Sequence, residues 1–127
     1  MKIHHFGIAC LSIKKTIKYL KHIFPNISFA DVLYDPIQDV HLTISNRIVG
    51  MRIELIRGQK IEKFITKNMP LYHLCFEVKD IEKEISFFIK KGGILISGPV
   101  PAILFNNRRV SFIYTDIGIV ELLEIEN

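Results

Sequence analysis

Two stretches of this 127-residue chain carry one pattern, and that echo restricts the possible folds more than any other feature. "HHFGIACLSIKKTIKYL", His4 to Leu20, reappears as "YHLCFEVKDIEKEISFF", Tyr72 to Phe88, at an offset of 68 positions (73 − 5). The slide puts His73 on His5, Val78 on Cys10, Ile81 on Ile13, Ile85 on Ile17 and Phe88 on Leu20. An internal repeat of this length predicts two copies of one supersecondary unit packed against each other.

Within each copy the apolar period changes from near two to near 3.6. Ile3 to Cys10 and Leu71 to Val78 read as strands. Ile13, Ile17, Leu20 and Phe24, then Ile81, Ile85, Phe88 and Ile89, form helical stripes. Ser12 and Asp80 hold equivalent positions and suit an N-cap, while Pro25 and Gly92-Gly93 supply the stops. Three strands are expected after each helix: Ile27 to Tyr34, Asp39 to Ser45 and Met51 to Ile56, then Ile94 to Ile96, Arg109 to Tyr114 and Ile119 to Ile125. Both halves therefore read β-α-β-β-β, within an α+β fold. Module 1 spans about 1–57, a connecting helix about 58–69 and module 2 about 70–127, the whole forming one domain. "SGPVPAILFNNRR", from Ser97, is expected to be a loop, because its prolines, glycine and paired asparagines all disfavour a continuous strand.

The repeat also aligns carboxylates. His5 to Glu54 is 49 residues and His73 to Glu121 is 48, so a single one-residue indel superposes "RIELI" on "IVELL". An ionised Glu in such an apolar strand is costly unless it is paired or bound to a metal. If the halves pack about a pseudo-twofold axis, two imidazoles and two carboxylates converge on one point. That mixed donor set suits a divalent Co, Ni, Mn, Fe or Zn ion. Taken singly, His4, His22 and His41 read as ordinary core or surface histidines. Cys10 and Cys75 lie in apolar runs without CxxC spacing and read as small buried hydrophobes.

Composition limits the partners. The net charge of +4 is spread along the chain with no block of like charge, which argues against a nucleic-acid arm and favours an anionic small molecule. The alternating N-terminus "MKIHHFGIAC" suits neither a signal peptide nor a membrane span, so a soluble, cytoplasmic protein is expected.

"HHFGIAC", "RIELI", "YHLCFEV" with the following "KDIEKEI", and "IGIVELLE" together resemble the vicinal oxygen chelate superfamily. Its members include glyoxalase I, methylmalonyl-CoA epimerase, extradiol dioxygenases and antibiotic-resistance binding proteins. The resemblance covers essentially the whole chain and looks strongest toward the epimerase branch. It implies two paired βαβββ modules that form an open, cup-shaped mixed sheet, and a homodimer. It also implies a metal held by His5, Glu54, His73 and Glu121, with Glu54 at a position where the epimerases often carry Gln and glyoxalase I carries Glu. The implied chemistry is proton transfer beside a chelated carbonyl, as in an isomerase, epimerase or lyase. Its substrate would be a CoA thioester or a hemithioacetal, with Glu121 as the principal base and Glu54 as its counterpart. Epimerases of this kind use a further Glu on the middle strands of the first half. Here "DPIQDVHLTIS" has none, and His41 is the candidate replacement base. Arg108 and Arg109 are candidates for holding an anionic tail. Being adjacent, only one of them can face the cup from a strand. Two other readings follow from the same resemblance. "TDIG" stands where glyoxalases commonly have "DPDG", which counts against glyoxalase I, and the complete quartet counts against a binding protein without turnover.

Overall fold

A computed structural model of the chain describes residues 1–126. Eight strands form one sheet, in the order β2-β3-β4-β1-β5-β8-β7-β6. The first half supplies β1 (Lys2–Ala9), α1 (Ile13–Ile23), β2 (Leu33–Asp35), β3 (Val40–Ile44) and β4 (Arg52–Arg57). The second half supplies β5 (Leu71–Val78), α3 (Ile81–Lys90), β6 (Ile94–Ala102), β7 (Arg108–Thr115) and β8 (Gly118–Glu124). Between them lie a 3-10 turn, Gln59–Ile61, and the short helix α2, Glu62–Thr66. Each first strand pairs in parallel with the last strand of its own half, β1 with β4 and β5 with β8. The two first strands pair antiparallel with each other at the centre. The strand order therefore reads the same from either edge, and the two halves meet at the β1–β5 seam.

The helices form where expected, and for the expected reasons. Ser12 accepts the Lys15 N–H and Asp80 accepts the Lys83 N–H, each satisfying an orphan donor of a first turn. Both helices pack on the outer face of the sheet. Ile13 and Leu20 join Ile27, Ile53 and Leu55, while Ile81 and Ile85 join Val78, Ile113, Val120 and Leu122. The inner face carries a separate apolar layer, Cys75, Ala102, Phe105, Val110 and Leu123 on one side and Val40, Leu42 and Ile56 on the other.

Two segments differ from the sequence reading. The stretch from Ser97 is not a loop throughout: β6 runs on to Ala102, and a 3-10 turn, Ile103–Phe105, follows. β6 is an edge strand, so Pro99 and Pro101 do not break a ladder on both sides, and register shifts between Leu95 and Val100 absorb the irregularity. The Asn106-Asn107 turn does occur, with both residues at positive φ. In the first half, Ile27 to Tyr34 is mostly irregular. Only Phe29 makes an isolated bridge, to Ser45, before β2 begins at Leu33.

Candidate functional site

Strand alternation decides which side chains meet. His5 stands opposite Cys75, which stands opposite Glu121; Gly7 is the cross-strand partner of both Glu54 and His73. Residues paired in this way share a face of the sheet. His5, Glu54, His73 and Glu121 accordingly converge inside the cup, with 0%, 3%, 4% and 2% of their surface exposed. His5 Nε2 lies 2.9 Å from Glu121 Oε1, 3.6 Å from Glu54 Oε1 and 3.1 Å from His73 Nε2. His73 Nε2 lies 3.1 Å from Glu121 Oε1 and 3.4 Å from Glu54 Oε1.

These separations bear on whether a metal fits. Ligand atoms about 2.0–2.1 Å from one shared ion stand roughly 3.0–3.4 Å from each other. Five of the six separations, 2.9 to 3.6 Å, lie close to that spacing, and all four ligand atoms fall within 4.8 Å of one another. Glu121 Oε1, although close to both imidazole nitrogens, makes no directed hydrogen bond. A buried carboxylate oxygen that faces two ring nitrogens off their bonding axes fits a shared central ion better than a pairwise hydrogen bond.

The electrostatics point the same way. Burial pushes the His5 imidazole down, but Glu54, Cys75 and Glu121 outweigh it and hold His5 well above its ordinary pKa. His73 is likewise raised, burial being overcome by Glu121 and Glu54. Burial would raise both carboxyls, yet the two imidazoles keep Glu54 and Glu121 below the usual range. The two carboxylates thus draw positive charge to the cluster, whether from protonated imidazoles or from a bound cation.

The walls of the site are aromatic. His73 sits edge-on between Tyr72, at 4.6 Å, and Phe112, at 5.5 Å between ring centroids. Tyr72 stacks in turn on Phe64 of α2, at 4.6 Å. Tyr72 and Phe112 also line a cavity of about 510 Å³ with Val40, Ile56, Lys60 and Lys63. Burial and then the Glu54 and Glu121 charges hold the Tyr72 hydroxyl well above its ordinary pKa, so it stays a neutral donor beside the quartet. Gly7 has a specific reason to be glycine: a Cβ there would land inside the His73 ring.

Three of the sequence candidates stand apart from this cluster. His41 is on the other face of the sheet. Its neighbours Val40 and Leu42 take the inward positions, and its ring lies against Tyr34, 4.9 Å away, with Arg57 opposite in register. Arg108 is tied to Glu77 at 3.0 Å and to the Phe105 carbonyl, and Arg109 is held on the outer face by Glu82 at 2.7 Å and Glu124 at 2.6 Å.

Sequence reasoning missed four residues near the site. Lys60 and Lys63 lie on the connecting segment and make no ion pair among the described residues. Tyr72 was hidden by its place next to His73, where alternation assigns it outward. His4, read as an ordinary histidine, is buried against His5, and burial with the nearby His5 pushes it down to about 4.

Two βαβββ halves around a buried His2Glu2 cluster define a cup of the glyoxalase type, with side chains that could chelate a metal at its centre. The family model of the Glyoxalase/Bleomycin resistance protein/Dioxygenase superfamily matches residues 4–112, and the chain belongs to that superfamily. No curated protein sequence matches it. Among solved structures it is similar to a hypothetical protein from Bacillus halodurans C-125, with 26% identity and a TM-score of 0.81 over 99% of this chain and 95% of that one. It is also similar to methylmalonyl-CoA epimerase from Mycobacterium tuberculosis, at 18% identity and TM-score 0.78 over 99% and 89%. A variant of the Streptomyces coelicolor methylmalonyl-CoA epimerase, in complex with 2-nitronate-propionyl-CoA, matches at 17% identity and TM-score 0.78 over 100% and 99%. At identities this low the epimerases establish the shared fold.

Proposed function

We propose that this chain is a divalent-metal-dependent epimerase or isomerase that moves a proton on the carbon beside a carbonyl, with an acyl-CoA thioester as its substrate class. The observation that carries this reading is the convergence of His5 and Glu54 from one half with His73 and Glu121 from the other, buried beside an apolar cavity. Held by these four residues, a Co, Ni, Mn, Fe or Zn ion would polarise a substrate carbonyl and acidify the adjacent C–H. The closest cluster contact of each Glu is made by Oε1, which leaves its second oxygen as the candidate for proton transfer. Glu121 takes the proton, and Glu54, on the opposite half, returns it from the other face, which is the geometry that inversion at carbon requires. The aromatic wall of Tyr72, Phe112 and Phe64 excludes water and strengthens each polar contact inside.

The anionic part of the substrate is met by Lys60 and Lys63 at the cavity wall; Arg108 and Arg109 are already neutralised. His41 has no part in the reaction. A homodimer completes the reading, because the edge strand β6 exposes Ile94, Leu95 and Ile96.

The test is exchange of the substrate α-proton with deuterated water. It is run on protein loaded with Co, Ni or Mn, against 2-methyl acyl-CoA thioesters and hemithioacetals. Exchange with the thioesters is expected, and Glu121→Gln should lower it by about 10²–10⁴-fold. Turnover of hemithioacetals alone would transfer the assignment to a glyoxalase I reaction, for which Glu54 is a compatible ligand. Exchange with neither class would leave only the binding of a small molecule.

A further inference from the structure

The fold repeats, but the surroundings of its two metal-facing histidines do not. His73 Nδ1 is buried without a hydrogen-bond partner. His5 Nδ1 has one: it lies 2.8 Å from His4 Nδ1. That contact exists because of a β-bulge. Between the pairs Ile3–Phe76 and His5–Cys75, β1 advances two residues while β5 advances one, and His4 is the extra residue. Simple alternation would send His4 to the face opposite His5; the bulge instead leaves both histidines buried and in contact.

We propose that His4 is a positioning residue for His5, its Nδ1 accepting the His5 Nδ1–H and so keeping the His5 Nε2 lone pair aimed at the centre of the quartet. This rests on the metal-binding reading of that quartet. A neutral imidazole has one N–H, so a ring that offers Nε2 to a metal carries its hydrogen on Nδ1. Buried, that N–H needs an acceptor, and the acceptor fixes both the tautomer and the angle of the ring. His4 Nδ1 is the acceptor within reach, and its own hydrogen then sits on Nε2. Phe105 holds the pair in place. It stacks on His5 at 5.5 Å and 19°, meets His4 edge-on at 5.4 Å and 89°, and leaves the two imidazoles near perpendicular at 83°. His4 also belongs to a second potential chelating group, His4, His5 and Cys75. The two roles exclude each other at His5 Nδ1, which cannot donate a hydrogen to His4 and ligate a metal at once.

Chelator competition with Co and Zn on the full chain separates these possibilities when run on wild type, His4→Phe, His4→Gln and Cys75→Ser. His4→Phe keeps a ring against Phe105 but has no acceptor, and it should weaken metal binding by roughly 10–100-fold. His4→Gln, whose side-chain carbonyl can accept, should recover most of that loss. In the zinc-loaded protein, imidazole ¹⁵N shifts should report a hydrogen on His5 Nδ1, and this signature should be disturbed in His4→Phe. Circular dichroism of each metal-free variant separates a folding failure from a change at the site. His4→Phe binding as tightly as wild type would overturn the proposal, as would His4→Gln remaining as weak as His4→Phe while folded. A sulfur-to-cobalt charge-transfer band lost in Cys75→Ser would overturn it in favour of the His4, His5 and Cys75 site. Wild type that bound no metal would instead bring down the reading of the quartet, and the role of His4 with it.

Discussion

Gly7 shows how much one position can hold at this site. It is paired across the seam with His73 and in parallel with Glu54, and the His73 ring occupies the space a side chain would fill. Gly7→Ala should therefore overpack the centre of the cup, at a cost of about 1–3 kcal/mol, and turn His73 out of line. The measurement is thermal melting beside metal titration: a lowered Tm with unchanged metal affinity would show that His73 can retreat without consequence. Lys60 and Lys63 make the complementary prediction. Lys60→Ala with Lys63→Ala should raise KM for an anionic thioester several-fold at nearly constant kcat, because the lost contact is far from the reacting carbon. An equal fall in kcat would place the lysines in the chemistry instead. Lys60 and Lys63 were not legible in the sequence, since nothing in "GQKIEKFITK" says that two of its lysines stand at the wall of a cavity.

At the scale of the elements, the helices were the most legible parts. Their caps and stripes are local, and local propensity was enough to place them. Ser12→Ala and Asp80→Ala should each cost about 1 kcal/mol, or roughly 3–5 °C in Tm, and leave metal binding unchanged. A loss of metal affinity in either would mean that the helices do more than cover the outer face. The edge strands were the least legible. β6 tolerates Pro99 and Pro101 because one of its sides has no ladder to satisfy, and nothing in the residues themselves says that a strand will lie at an edge. The bulge in β1 was equally hidden. One extra residue between two ladder pairs moved His4 from an outward position into the site.

For the whole molecule, the metal is expected to tie the halves together. The four proposed ligands come two from each side of the β1–β5 seam, so binding to the folded state alone should raise stability by about 2.7 kcal/mol when free ion reaches about 100 times Kd. Melting curves with and without chelator measure this, and a Tm indifferent to Co, Ni, Mn and Zn would count against the site. Solution scattering at micromolar concentration tests the homodimer proposed here; a monomeric mass would leave β6 as an uncovered edge.

By itself the sequence determined the duplicated module, its helices and the four residues whose spacing repeats, because periodicity, capping and repeat offset are properties of neighbours along the chain. It also placed Glu54 and Glu121 in apolar strands, where an unpaired charge is too costly to be accidental. Only the tertiary structure decided that the ligand atoms of the quartet meet within 4.8 Å of one another, that His41 turns outward, that Arg108 and Arg109 are occupied by carboxylates, and that His4 lies against His5. Each of these depends on strand register across long sequence separations. Register is set by how whole strands pack, and a shift of one residue exchanges the two faces of the sheet.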